Sequence, residues 1–309
     1  MPRVSVVIPT FNCDRFIRRT VDSALAQTYR DFEVIVVDDG STDGTRSIMA
    51  EFGPAVRYLF QSNQGASAAR NRAIESASGE FIAYLDADDL WSPDKLARQV
   101  EYLDAHPACG LIHSEVAVVD EQDAVLHRKF NQETQRAVPQ GACLRQLLQQ
   151  SHIQTLTVVE RRSAFERAGK FDLRLPVAQD YLHWIQVVLK GYEIGYLPEP
   201  LGLYRWRAGS LMSSERRLLG DFVRIYQILL AEHALERNFG CEIGQLVEAQ
   251  LYQQERQLAY LERRECSGAV ARHRLRKLIK RWPLRFELYA DFAKSYVSRG
   301  TASLPLNAA

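Results

Sequence analysis

The 309-residue chain is 46% hydrophobic and 25% charged, with a mean hydropathy of −0.25, a balance that argues against a disordered or membrane-spanning chain. Its 39 basic and 38 acidic residues leave a formal net charge of +1. That is too little for a global field that gathers nucleic acid, so an anionic ligand must be held by local charge.

Residues 4–8 are β-branched and apolar except Ser5 and stop at Pro9, which reads as a first strand. Residues 15–27 carry Phe16, Ile17, Val21, Ala24 and Leu25 on one helical stripe. Residues 32–37 form a nearly continuous apolar run, the mark of a strand covered on both faces. A helix is predicted over 43–52, a strand over 56–61, a helix over 65–77 and a fourth strand over 81–85. This alternation builds βαβ units and a parallel sheet.

After Trp91 the strand signal weakens. A helix is expected over 93–105 and a strand over 110–120, and the polar, aperiodic residues 122–140 read as a loop. Helical and short extended pieces follow to Tyr204, and a boundary falls at 210–215. From there to 298 the chain reads as helical. One stripe runs through Leu218, Leu219, Phe222, Ile225, Tyr226, Leu229 and Leu230, and another through Ile243, Leu246, Val247, Leu251, Leu258 and Leu261. A pair over 269–280 and 284–297, broken at Pro283, resembles one helix-turn-helix unit of a tetratricopeptide-like repeat, too few for a solenoid.

Cys13, Cys109, Cys143, Cys241 and Cys266 are odd in number and show no metal-ligand spacing, which suits a reduced, cytoplasmic interior. The five-residue run before Pro9, four of it apolar, is too short for a signal peptide, and no run approaches the 18 or so residues of a membrane helix. Contact with a membrane is expected only from its surface.

Three loops follow predicted parallel strands, at the edge where open α/β sheets bind ligands: Pro9-Thr-Phe-Asn12, Asp38-Asp-Gly-Ser-Thr-Asp-Gly44 and Asp86-Ala-Asp-Asp89. Neither a dinucleotide-binding glycine fingerprint nor a P-loop is present. Clustered carboxylates repel a diphosphate unless a divalent cation lies between them, so the implied ligand is a metal-bound nucleoside diphosphate.

The ordered motifs Val4-Ser-Val-Val-Ile-Pro-Thr-Phe-Asn12, Val37-Asp-Asp-Gly-Ser-Thr-Asp-Gly44, Asn63-Gln-Gly-Ala-Ser-Ala-Ala-Arg-Asn71 and Gly79-Glu-Phe-Ile-Ala-Tyr-Leu-Asp-Ala-Asp-Asp89 resemble a family-2 glycosyltransferase of the GT-A fold. The resemblance continues through Gly169-Lys-Phe-Asp172, Gln179-Asp180 and Tyr204-Arg205 and covers residue 3 to about 214. It implies an α/β catalytic domain over 1–214, a doubly wound, mostly parallel sheet flanked by helices, with a nucleotide-sugar half over about 1–110 and an acceptor half over about 111–214. The all-helical region 215–309 follows.

Carried over by position, Pro9 and Phe11 would line the base, Asp39 would bind base or ribose, Arg70 would lie near base and phosphates, and Asp86 would touch the ribose. The family's uracil or thymine recognition favours a UDP- or dTDP-sugar. Asp88 would hold Mn²⁺ or Mg²⁺, and Asp180 would be the catalytic base. Where many members have Glu-Asp this chain has Gln179-Asp180, and where many have Arg-x-His it has Arg205-Trp-Arg207. Arg207 cannot ligate a metal but can pair with diphosphate oxygens. Gln179 and Trp184 are candidates for holding the acceptor.

The base can also be argued from chemistry. Displacing a nucleoside diphosphate from an anomeric carbon requires a hydroxyl to shed a proton, and one carboxylate base without a second nucleophile predicts inversion. Asp120 and Asp172 are rival carboxylates. The bland alternatives are a core or rim place for Trp184 and Trp206 and structural places for His113, His152 and His183. The basic run Arg263, Arg264, Arg272, Arg274, Arg276, Lys277, Lys280, Arg281 and Arg285 is either a solvated helix face or a peripheral contact with the inner face of an anionic membrane. The expected role is sugar transfer to a glycan or lipid-linked acceptor in cell-surface polysaccharide synthesis. The alternatives are a nucleotidyltransferase, which would carry a glycine-rich basic first loop, and a catalytically silent nucleotide-sugar-binding module.

Overall fold

The computed structural model describes residues 1–149, 153–207, 214–232, 235, 239–265 and 268–296. His152, Cys266, residues 210–213 of the expected boundary and the end of the last predicted helix lie outside them. The chain forms two compact units that divide between Ser213 and Ser214.

The first unit is built on one sheet. Its strands are β1 (Val4–Thr10), β2 (Phe32–Asp38), β3 (Arg57–Phe60), β4 (Phe81–Tyr84), β5 (Leu90–Trp91), β6 (Cys109–Val119), β7 (Val125–His127), β8 (Val159–Arg161) and β9 (Glu193–Arg205). The spatial order is β3-β2-β1-β4-β8-β6-β9-β5, with β7 on β6. The first four strands pair in parallel, as the βαβ pattern predicts. Beyond β4 the sheet is mixed rather than mostly parallel: β8 runs antiparallel to both β4 and β6, β6 and β9 are parallel, and β5 is antiparallel to β9. The flanking helices are α1 (Ile17–Leu25), α2 (Thr45–Glu51), α3 (Ala66–Ser76), α4 (Lys95–Ala105), α5 (Phe130–Glu133), α6 (Leu144–Gln149), α7 (Arg162–Ala168) and α8 (Gln179–Leu189).

Residues of β1 and β2 alternate between the two faces, yet Val6, Val7, Ile8, Ile35, Val36 and Val37 are all fully buried, because helices cover both faces. Ile17, Val21 and Ala24 of α1 close one side, as the apolar stripe requires. Each buried valine or isoleucine contributes about 1.5–3 kcal/mol by leaving water.

Residues 122–140 correct the loop expectation. They hold β7 and the single turn α5, because the buried Glu115 carboxylate on β6 accepts the backbone N–H of Asn131 at 2.9 Å and of Gln132 at 3.1 Å. That anchor lies outside the segment, so local composition hides it.

The second unit contains α9 (Glu215–Glu232), α10 (Cys241–Glu265), α11 (Gly268–Arg281) and α12 (Phe286–Lys294). The predicted stripes face inward: Leu219, Ile225, Leu229, Val247, Leu251, Leu258 and Leu261 are buried. A separate cluster of Tyr252, Ala259, Leu275, Leu278 and Leu288 joins α10 to α11 and α12. None of the helices is long and apolar enough to cross a membrane among the described residues.

Candidate active site

Parallel pairing of β1, β2 and β4 places their carboxyl ends side by side, and the three motif loops emerge there. The first two loops brace each other. The Asn12 N–H donates to Ser41 Oγ at 2.9 Å, and Asn12 Oδ1 accepts the Thr42 N–H at 2.8 Å. Pro9 is buried in β1 opposite Val37, while the Phe11 ring beyond it is 48% exposed and free to stack on a ligand. Asp38 is structural: its carboxylate accepts from the Ser41 N–H at 2.8 Å and from the Tyr58 hydroxyl at 2.7 Å.

Asp39 is buried and accepts three hydrogen bonds, from Gln61 Nε2 at 2.7 Å, the Gln64 N–H at 2.9 Å and the Gly65 N–H at 2.7 Å. It therefore ties the second loop to the start of α3. Gly40 turns the chain immediately after it at φ 85°, where a Cβ would meet Asn63 N at 2.9 Å, so glycine is required.

Arg70 is the hub of the third loop. Buried on α3, it donates to Asp86 Oδ1 at 2.7 Å, and its guanidinium lies 5.4 Å from the Phe171 ring centroid. With the Gln179 amide oriented by its neighbours, its oxygen accepts from Arg70 Nη1 at 2.7 Å and its nitrogen donates to the Val177 carbonyl at 2.8 Å. Gln179 thus holds Arg70 in place.

Asp180 follows in the first turn of α8, half-buried. Its Oδ2 accepts from the Thr155 hydroxyl at 2.6 Å and its Oδ1 from the Tyr181 N–H at 2.8 Å. Burial raises its pKa above the usual carboxylate value, against the opposing pull of Thr155 and Arg70. The rival carboxylates serve local turns: Asp172 pairs with Arg174 at 2.6 Å, and Asp120 accepts the N–H groups of Gln122 and Ala124.

Asp88 pairs through Oδ2 with Arg207 Nε at 2.5 Å. Burial raises the Asp88 pKa, Arg207 lowers it and the nearby Asp86 raises it further. Asp89 is fully enclosed, accepts the Arg205 N–H at 2.7 Å, and has its pKa pushed well up by burial and by Asp88 and Asp86. Arg205, which sequence reasoning gave no role, also donates to the Asp88 and Asp120 carbonyls and to Asp123 at 2.6 Å, clamping the acidic loop from β9. Its signal was its place in the Tyr204-Arg205 motif, which by itself assigns no role.

No group of three or more His, Cys, Asp or Glu side chains poised to hold a metal occurs among the described residues. The two hard-oxygen carboxylates Asp86 and Asp88 nevertheless fit a Mg²⁺-like ion that takes its remaining ligands from diphosphate and water. Burial raises the Asp88 pKa despite Arg207, and a cation beside it would favour its charged form.

Trp184 corrects the acceptor expectation. It is fully buried, packed edge-on against Tyr84 at 5.6 Å and Phe171 at 6.4 Å, which leaves no surface for an acceptor to touch. The same core contains a polar network: His183 Nε2 lies 2.9 Å from Glu160 Oε1, and the Tyr84 hydroxyl donates to Glu160 Oε2. His183 stands one turn beyond Asp180 on α8, so this network fixes the helix that carries Asp180.

Residues 5–167 match the family model described as glycosyl transferase family 2. The chain belongs to that family. Over 220 residues it is 32% identical to TuaG of Bacillus subtilis (strain 168), a glycosyltransferase assigned to teichuronic acid biosynthesis, covering 69% of this chain and 83% of TuaG. It is 30% identical over 219 residues to the Escherichia coli UDP-Glc:α-D-GlcNAc-diphosphoundecaprenol β-1,3-glucosyltransferase WfaP, covering 70% of this chain and 82% of that one. Other relatives are longer, and the chain spans 41% to 58% of three of them. Among solved structures it resembles S. aureus TarS 1-349 in complex with UDP-GlcNAc, with a TM-score of 0.65 and 21% identity, over 96% of this chain and 89% of that one. That likeness establishes the GT-A fold of this glycosyltransferase. Membership of the family, rather than the fold, removes the nucleotidyltransferase alternative.

Proposed function

We propose that this glycosyltransferase moves a sugar from a UDP- or dTDP-sugar to a hydroxyl of a lipid-linked glycan, with inversion, in cell-surface polysaccharide synthesis. The observation that carries the reading is the linked set Asp86–Arg70–Gln179–Asp180, which joins the acidic loop at the sheet edge to a carboxylate at the start of α8. Its relationship to a transferase acting on a diphosphoundecaprenol-linked sugar supports the acceptor class.

In this reading Phe11 stacks on the base, Asp39 shapes the base and ribose loop, and Asp86 and Arg70 orient the ribose and diphosphate. Asp88, with Asp86, holds Mn²⁺ or Mg²⁺, which stabilises charge on the departing diphosphate when bound. Arg207, already beside Asp88, donates to diphosphate oxygens, a task for which its planar fork is suited. The acceptor hydroxyl attacks the anomeric carbon from the face opposite the diphosphate, the bond to the diphosphate breaks, and the hydroxyl proton passes to Asp180. With a single displacement, the anomeric configuration inverts. The two units correspond to a catalytic domain and a helical appendage, working at the inner face of the membrane.

The ligand site has a direct test. Thermal unfolding with UDP or dTDP at about 100 times Kd and Mn²⁺ should show a gain of about 2.7 kcal/mol for the wild type, and Asp88→Ala should lose the metal-dependent part. Equal metal-dependent gains in wild type and Asp88→Ala would remove Asp88 from the site. Stabilisation by nucleotide without any turnover of UDP- or dTDP-sugars would favour a silent binding module.

A further inference from the structure

We propose that the turn between α11 and α12 is an interfacial wedge that docks the helical unit on an anionic phospholipid surface. Leu284 is 81% and Phe286 77% exposed, and Tyr289 one turn later is 45% exposed. These side chains do not hang from a loose tail. Leu288 is fully buried, Trp282 packs edge-on against Tyr252 at 5.3 Å, and the Arg285 N–H donates to the Trp282 carbonyl at 3.1 Å. The fold therefore holds two large apolar groups in water on a rigid turn.

The charge around them selects the occupant. Residues 268–296 contain eight lysines and arginines but only two acids, Glu287 and Asp291. Both acids are already engaged, Glu287 by the Tyr252 hydroxyl at 2.7 Å and Asp291 by Arg256 at 2.6 Å. Arg276, Lys277, Lys280 and Arg285 are exposed and form no ion pair among the described residues. An exposed apolar turn with exposed cations on the two helices that flank it fits a bilayer of acidic lipids, where acyl chains receive Leu284 and Phe286 and headgroups meet the cations. The inference rests on the lipid-linked acceptor reading for its purpose, since such an acceptor lies at that surface.

The test is co-sedimentation of the full chain with sucrose-loaded vesicles. Wild type should partition onto phosphatidylglycerol–phosphatidylethanolamine vesicles and far less onto phosphatidylcholine, with binding weakened by salt. Leu284→Ser with Phe286→Ser should lower partitioning at least about tenfold, and Lys277→Glu with Lys280→Glu by roughly 30-fold or more. Both variants should keep the wild-type circular dichroism spectrum and transfer to a water-soluble acceptor analogue. Wild type left in the supernatant, or the serine variant sedimenting like wild type, would overturn the proposal. So would a wild-type dimer that the serine pair converts to monomer, because the turn would then belong to a second copy. Vesicle binding that persists without transfer to any lipid-linked acceptor would support the wedge while refuting the acceptor reading.

Discussion

Asp180→Asn should lower kcat by about 10²- to 10⁴-fold, the contribution of a positioned general base. With its oxygen accepting the Tyr181 N–H and its NH2 donating to the Thr155 hydroxyl oxygen, the amide keeps both contacts at the α8 start, so loss of proton acceptance is isolated from loss of structure. Donor binding should survive, with nucleotide-induced stabilisation unchanged. Because burial raises the Asp180 pKa, the acid limb of kcat/KM should lie above the ordinary aspartate value of about 3.9 and vanish in the asparagine variant. The same shift fixes a stability effect. A carboxyl whose pKa is raised on folding contributes stability at low pH that is lost as pH climbs from about 3.9 through the raised value. Asp180→Asn should therefore be more stable than wild type at neutral pH, with the advantage shrinking on acidification. Single-turnover rates and unfolding midpoints across pH measure both effects. A variant with kcat within about threefold of wild type would exclude Asp180 as the base.

Glu160→Ala should cost about 2–6 kcal/mol of stability, from about 1–3 kcal/mol for each of two buried polar groups left unpaired. The carboxylate, the Tyr84 hydroxyl and His183 Nε2 are all fully buried, so deletion leaves two polar groups that neither protein nor water reaches. Glu160→Gln should recover part of the loss, since its amide oxygen can still accept from one of them. Denaturant unfolding of the three proteins measures this, and a loss under about 1 kcal/mol in the alanine variant would contradict it. Where Glu160→Gln folds, a fall in kcat at unchanged KM would show that the network positions α8 and Asp180.

The sequence was most informative where contacts are local in pattern. The parallel strands β1 to β4 announce themselves as apolar runs separated by helical periods, and their topology alone sends Phe11, Asp39 and Asp88 to one sheet edge. The second half of the sheet was obscured for identifiable reasons. β8 is three residues long, and β9 contains Gly195, Pro198, Pro200 and Gly202, which read as breakers. β9 accommodates them because its register with β6 shifts at three places, a compensation that exists only between strands.

The sequence by itself determined the family, the βαβ half of the fold and the identity of the carboxylates at its edge, because periodicity and motif order are properties of neighbouring residues. Only the tertiary structure decided what each carboxylate faces. Asp39 spends its lone pairs on the α3 entrance, Arg207 sits against Asp88, Arg70 links Asp86 to Gln179, and Trp184 lies in the core rather than at an acceptor. Those outcomes depend on burial and on partners 16 to 119 positions away, and no local pattern records which of two distant side chains will share a desolvated space.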